Sequence, residues 1–167
     1  MYRLLTAFLL AAAGLAHAQL MPPIAGGLPA GSGAGVHSPQ SPFPPLKERS
    51  DVLPWSLLTN VKTQLVNKRV QPVFPPEVQA LDGRVQRVQG FMMPLEPGEK
   101  QTHFLLSAVP LTCSFCVPGG PESMIEVRSR TPVRYDMEPL VLQGRLSVLR
   151  DDPYGLYYRL SDAVPVK

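Results

Sequence analysis

A mainly β chain is predicted, with five short strands closing into a small barrel and one helix ahead of them. Three observations predict it. Runs of apolar residues at strand-like spacing recur between turn residues from 84 to 160. The first run carries an internal glycine, Gly90, where a strand bends or bulges. Only one segment, 54–66, has the helical period.

In order, the helix is expected over 54–66. Pro54 suits a first helical turn, and Trp55, Leu58, Val61/Lys62 and Leu65 fall on one stripe before Asn67-Lys68 ends it. Trp55 is expected to plug a barrel or sheet. The stretch 71–76 holds Pro72, Pro75 and Pro76 and must be extended or irregular. Asp82-Gly83 is a turn. The first strand, 84–93, breaks strict alternation, since Val85 and Val88 are three apart. Pro97-Gly98-Glu99-Lys100 turns the chain into a second strand, 103–109. In the third, 124–128, Ile125 and Val127 face one way, Glu126 and Arg128 the other. The fourth, 140–149, has the cleanest pattern: Leu140, Leu142, Gly144, Leu146 and Val148 share a face. Asp151-Asp152-Pro153-Tyr154-Gly155 is turn chemistry, and 156–160 pairs back as the fifth. Five short strands with a bent first one fit an OB-like Greek-key barrel with one N-terminal amphipathic helix; the alternative is a small β-sandwich.

Residues 1–18 read as a secretory signal peptide. Tyr2-Arg3 precedes an apolar run over 4–15, and Ala16-His17-Ala18 supplies small residues at a cleavage site. The mature chain would begin at Gln19 in the bacterial periplasm, with no transmembrane segment and no cysteine placed for lipid attachment. Residues 19–50 contain seven Pro and five Gly, too many breakers for a packed element, and read as a flexible tether. That leaves 51–167 as the domain that buries a core.

The 167-residue chain has a net charge of +3, and its basic residues are scattered singly rather than gathered in a stripe, which argues against a nucleic-acid partner. Gly-x-Ser-x-Gly, P-loop and His-Glu-x-x-His patterns are absent, so no catalytic residue is assigned. Oligosaccharide or nucleic-acid binding on the barrel face would rest on fold analogy alone.

The one motif with chemistry is Thr112-Cys113-Ser114-Phe115-Cys116, followed by Val117-Pro118-Gly119-Gly120-Pro121. Three readings stand. An oxidising compartment and an even cysteine count suit a disulfide, although so small a loop gains little from closure entropy. A redox-active dithiol normally sits at a helix N-terminus, which two Pro and two Gly within five residues forbid. Two thiolates three residues apart can also share one metal ion. Further ligands would come from His103 at the start of the second strand, from Met92 or Met93 at the end of the first, and from Glu96 in the hairpin between them. Thiolate, imidazole and carboxylate suit Zn²⁺; thiolate, thioether and imidazole suit Cu⁺. His37 lies in the tether and is read as incidental.

The blocks Ala80-Leu81-Asp82-Gly83, Gly90-Phe91-Met92-Met93-Pro94-Leu95-Glu96, His103-Phe104-Leu105-Leu106, Cys113-Ser114-Phe115-Cys116 with Pro118-Gly119-Gly120-Pro121, Gly144-Arg145-Leu146 and Asp152-Pro153-Tyr154-Gly155 resemble a family of exported bacterial proteins of unknown function. The resemblance implies small periplasmic proteins or lipoproteins, some encoded near ABC-transporter components linked to zinc supply. The expected function is therefore transition-metal (zinc or copper) binding or delivery beside an envelope transporter, with Cys113, Cys116, His103, Glu96, Met92 and Met93 as ligands. The alternatives are a non-catalytic protein-interaction module with a disulfide-fixed loop and a thiol-disulfide redox protein.

Overall fold

A computed structural model describes residues 34–166; the expected signal peptide and the first half of the expected tether lie outside them. The elements are α1 (Trp55–Leu58), β1 (Lys62–Val66), β2 (Arg69–Val73), α2 (Pro76–Gln79), β3 (Val85–Pro94), β4 (Lys100–Ser107), β5 (Met124–Arg134), β6 (Leu140–Val148) and β7 (Tyr158–Val166). A 3₁₀ turn, Pro121–Ser123, leads into β5.

Five strands close a barrel in the order β3-β4-β5-β7-β6. All pairs are antiparallel except β5 with β7. That is the mixed five-stranded closure expected of an OB-like barrel. Gly90 sits where β3 changes partner: Val85 to Gly90 pair with β6, and Phe91 to Pro94 pair with β4. A Cβ at Gly90 would lie 2.7 Å from the Ser107 carbonyl oxygen, so the bend requires the missing side chain. Phe104, Leu106, Ile125, Val127, Leu142, Leu146, Tyr158 and Leu160 fill the barrel interior.

The expected helix over 54–66 is one turn long. Thr59 closes it by donating its hydroxyl to the Trp55 carbonyl at 2.9 Å. From Lys62 the chain turns instead into the β1–β2 hairpin, whose two-residue turn, Asn67-Lys68, has both residues at positive φ (50° and 63°). This is the mirror-type turn that hairpins favour, and the dipeptide taken as a helix stop is its centre. Leu65 and Val70 on the hairpin are exposed, so the end of the apolar stripe that suggested a longer helix has no core to face. Leu58 and Val78, from the two short helices, are instead fully buried against the barrel end. Trp55 is half-buried there, and its indole N–H donates to the Gln89 carbonyl at 2.8 Å.

The described part of the 19–50 stretch lies along the barrel. Val36 forms a β-bridge with Val117, and Phe43 is buried against Phe91 and Cys113. Few but well-placed apolar side chains give this Pro-rich strap its seat.

Candidate functional site

The β4–β5 connection, 108–123, carries the cysteines. It folds as successive tight turns. The Cys113 N–H donates to the Pro110 carbonyl, and the Cys116 N–H donates to the Cys113 carbonyl, each at 3.2 Å. The Ser123 hydroxyl and N–H both donate to the Gly120 carbonyl, at 2.8 and 2.9 Å, which anchors the far end. Cys113 and Cys116 are joined as a disulfide with Cα atoms 5.4 Å apart. Cys113 is buried, Cys116 is half-buried, and Phe115 between them is 59% exposed. The chain beyond Cys116 enters Pro118, Gly119 and Gly120 and then the 3₁₀ turn, with no α-helix to lower a thiol pKa.

The other expected ligands lie elsewhere. β4 leaves the sheet into the cysteine loop at Ser107, and His103 is four positions earlier, roughly 13 Å along the strand. Its Nε2 faces Glu126 Oε1 at 2.8 Å. Met92 points into the barrel core; Met93 points to the opposite face and packs with Leu105, Met124 and Leu156. Glu96 is exposed in the β3–β4 turn, where its main-chain carbonyl accepts from Gln101 Nε2 at 3.0 Å. Among the described residues, no three of His, Cys, Asp and Glu are disposed to hold a metal ion. The structure brings the two cysteines together and does not add His103 or Glu96 to them.

Sequence reading missed the group that holds His103. Glu126, alternating outward on β5, is 5% exposed and carries three partners. Arg159 of β7 donates through Nε to Oε2, while Arg128 and His103 meet Oε1. Arg159 also reaches Asp152 Oδ2 at 3.3 Å. Burial pushes the Glu126 carboxyl up, but hydrogen bonds from Arg159 and His103 and the nearby Arg159 charge outweigh it and hold it below its ordinary value. The outward alternation of Glu126 and Arg128 was the available signal; the parallel β5–β7 pairing that supplies Arg159 has none in the local sequence.

His37, read as incidental, lies on the strap beside Phe91 of β3. Its ring stacks on Phe91 at 6.5 Å between centroids and 22° between planes. Its Nε2 is buried without a hydrogen-bond partner. The Ser41 hydroxyl lies 3.3 Å from Cys113 Sγ.

Among the described residues no helix is long and apolar enough to cross a membrane. No curated protein matches the chain. A crystal structure of a DUF3299 family protein from Pseudomonas aeruginosa is similar, at 22% identity over 57% of this chain and 68% of that one, with a TM-score of 0.42. A family model described as a protein of unknown function (DUF3299) matches residues 47–155, well over half of the sequence, and the chain therefore belongs to that family.

Proposed function

We propose that this protein is a non-catalytic protein-binding module of the bacterial envelope, and that its contact point is the disulfide-closed tip of the β4–β5 loop. One observation carries the reading: Phe115 and Val117 are 59% and 58% exposed on a loop that is stiffened on every side. The disulfide, the prolines and the bridge to Val36 leave that tip little freedom to lose on binding. A rigid loop presenting an aromatic anchor has the form of an interface hot spot. The partner we infer is a protein with an apolar pocket, and an envelope ABC-transporter component is the first to test.

The test is co-purification of that component with the full chain from intact cells. Phe115→Asp and Val117→Asp should each weaken the complex at least tenfold, since a carboxylate would enter an apolar pocket unpaired (about 2 kcal/mol or more). Leu65→Asp, on the exposed hairpin, should change nothing. A complex indifferent to both loop variants would overturn the proposal.

A transition-metal role for Cys113 and Cys116, as the sequence suggested, would require the disulfide to be reduced so that two thiolates three residues apart become free.

A further inference from the structure

We propose that the cleft between the 46–55 segment and β3, lined by Trp55 and Gln89, binds an extended peptide segment. One apolar residue of the peptide seats beside the indole, and its main-chain N–H and C=O pair with the Gln89 carboxamide. The site uses no residue of the cysteine-loop tip and does not rest on the partner proposed for that tip.

The cleft has a volume of about 520 Å³, with Leu46, Val52, Leu53, Pro54 and Trp55 as apolar lining around Gln89. That is large enough for a few residues of peptide. The lining is pinned before any ligand arrives. The Leu53 N–H donates to the Arg87 carbonyl and the Trp55 indole N–H donates to the Gln89 carbonyl, both at 2.8 Å. Asp51 meets Arg49 at 2.8 Å and Arg87 at 3.2 Å, which ties the other side to the same strand. A cleft built in advance loses little freedom on binding.

Gln89 is the observation that points to a ligand. Val88 packs in the barrel core, so strand alternation turns Gln89 outward, where a polar side chain ordinarily meets water. Here the segment leading into α1 covers it, and Gln89 is only 8% exposed. Its main-chain carbonyl accepts from Trp55, but among the described residues its carboxamide has no hydrogen-bond partner. Covering a carboxamide without partners costs free energy that an apolar side chain of the same length would avoid. The access left to it is through the cleft.

The carboxamide selects the class of ligand. It presents a donor and an acceptor side by side. In an extended chain the N–H and C=O of one residue point the same way, which is how antiparallel strands exchange paired bonds. The two edges are complementary: Gln89 Nε2 donates to the peptide carbonyl, and Oε1 accepts from the peptide N–H. The lining then selects the residue. Trp55, Leu46, Val52 and Pro54 favour an apolar side chain and leave a charged one unpaired.

Trp55 is the only tryptophan in the chain, so its fluorescence reports on this cleft. The full chain is titrated with acetylated and amidated tripeptides, Ala-Leu-Ala, Ala-Phe-Ala and Ala-Asp-Ala. A saturable change is expected with Leu or Phe at the centre and none with Asp. The Gln89 side-chain amide signals in NMR should shift on binding, a readout that needs no variant to fold. Methylating the central peptide nitrogen, which removes its N–H, should weaken binding at least tenfold. Gln89→Met, of similar length but without the amide, should do the same, and it should bind the plain and methylated peptides alike. Phe115→Asp should leave affinity unchanged; a loss there would assign the binding to the loop and overturn this site. No saturable change at millimolar Leu or Phe peptide would overturn the proposal. Binding indifferent to both methylation and Gln89→Met would overturn it too, because an apolar cleft without peptide recognition would be all that remained.

Discussion

Glu126 shows how one side chain sets the chemistry of a barrel face. It is 5% exposed, yet it stays ionised because Arg159, His103 and Arg128 converge on its two oxygens. Its depressed pKa has a signed consequence. The stabilisation is present at neutral pH, above the value of the unfolded chain, and is lost as pH falls through the lower folded value. Glu126→Gln should lower stability by roughly 1–3 kcal/mol at pH 7, and the gap to the parent should close on acidification below the ordinary carboxylate range. Urea unfolding at pH 7 and at about pH 3 checks both halves; equal gaps at the two pH values would show that the charge is immaterial. The same residue accounts for His103. An imidazole held at 2.8 Å by a carboxylate on β5 is committed four strand positions away from the cysteine loop.

At the scale of elements, the β1–β2 hairpin turns on Asn67 and Lys68, both in the left-handed region. Asparagine tolerates that conformation; lysine is strained in it by about 1 kcal/mol. Lys68→Gly should therefore slow amide exchange of the Leu65–Val70 ladder pair and leave partner binding by the cysteine loop untouched. Faster exchange would mean that the hairpin is not the state being stabilised. Gly90 has the opposite sensitivity. Gly90→Ala pushes a methyl group onto the Ser107 carbonyl, a main-chain atom that cannot swing aside, and should cost roughly 1–3 kcal/mol in chemical unfolding. The loss would fall on the point where β3 changes neighbours, and with it on Ser107, from which the cysteine loop departs.

For the molecule as a whole, the short helices join the barrel through an apolar plug crossed by polar contacts, Trp55 to the Gln89 carbonyl and Tyr158 to the Leu58 carbonyl among them. Tyr158 of β7 is fully buried and donates its hydroxyl to the Leu58 carbonyl at 2.6 Å. Burial pushes its phenol pKa up, so it remains a donor across the working pH range. Tyr158→Phe leaves that carbonyl unpaired and should cost about 1–3 kcal/mol, read as a lower denaturant midpoint with an unchanged slope. A changed slope would indicate that the plug unfolds separately from the barrel.

The sequence by itself determined a mainly β chain and singled out one cysteine loop, and it left barrel against sandwich and disulfide against metal open. Strand periodicity, Gly90 and the turn residues fit a five-stranded barrel or a small sandwich, because alternation and backbone permission are local properties, and strand pairing closes the barrel. The Cys-x-x-Cys spacing lets its two sulfurs meet in a disulfide or on one ion, and only the structure joins them. The sequence misread the length of the 54–66 helix because Leu65, exposed on the hairpin, continues the spacing of Trp55, Leu58 and Val61, and only the paired positive-φ turn marks the change. Tertiary structure alone decided the neighbours of each imidazole. His103 went to Glu126 because strand register aligns β4 with β5, and His37 went against Phe91 on the strap that the Val36–Val117 bridge, joining positions 81 apart, seats on the barrel. Contacts across such separations are fixed by packing and register, which no window of residues contains.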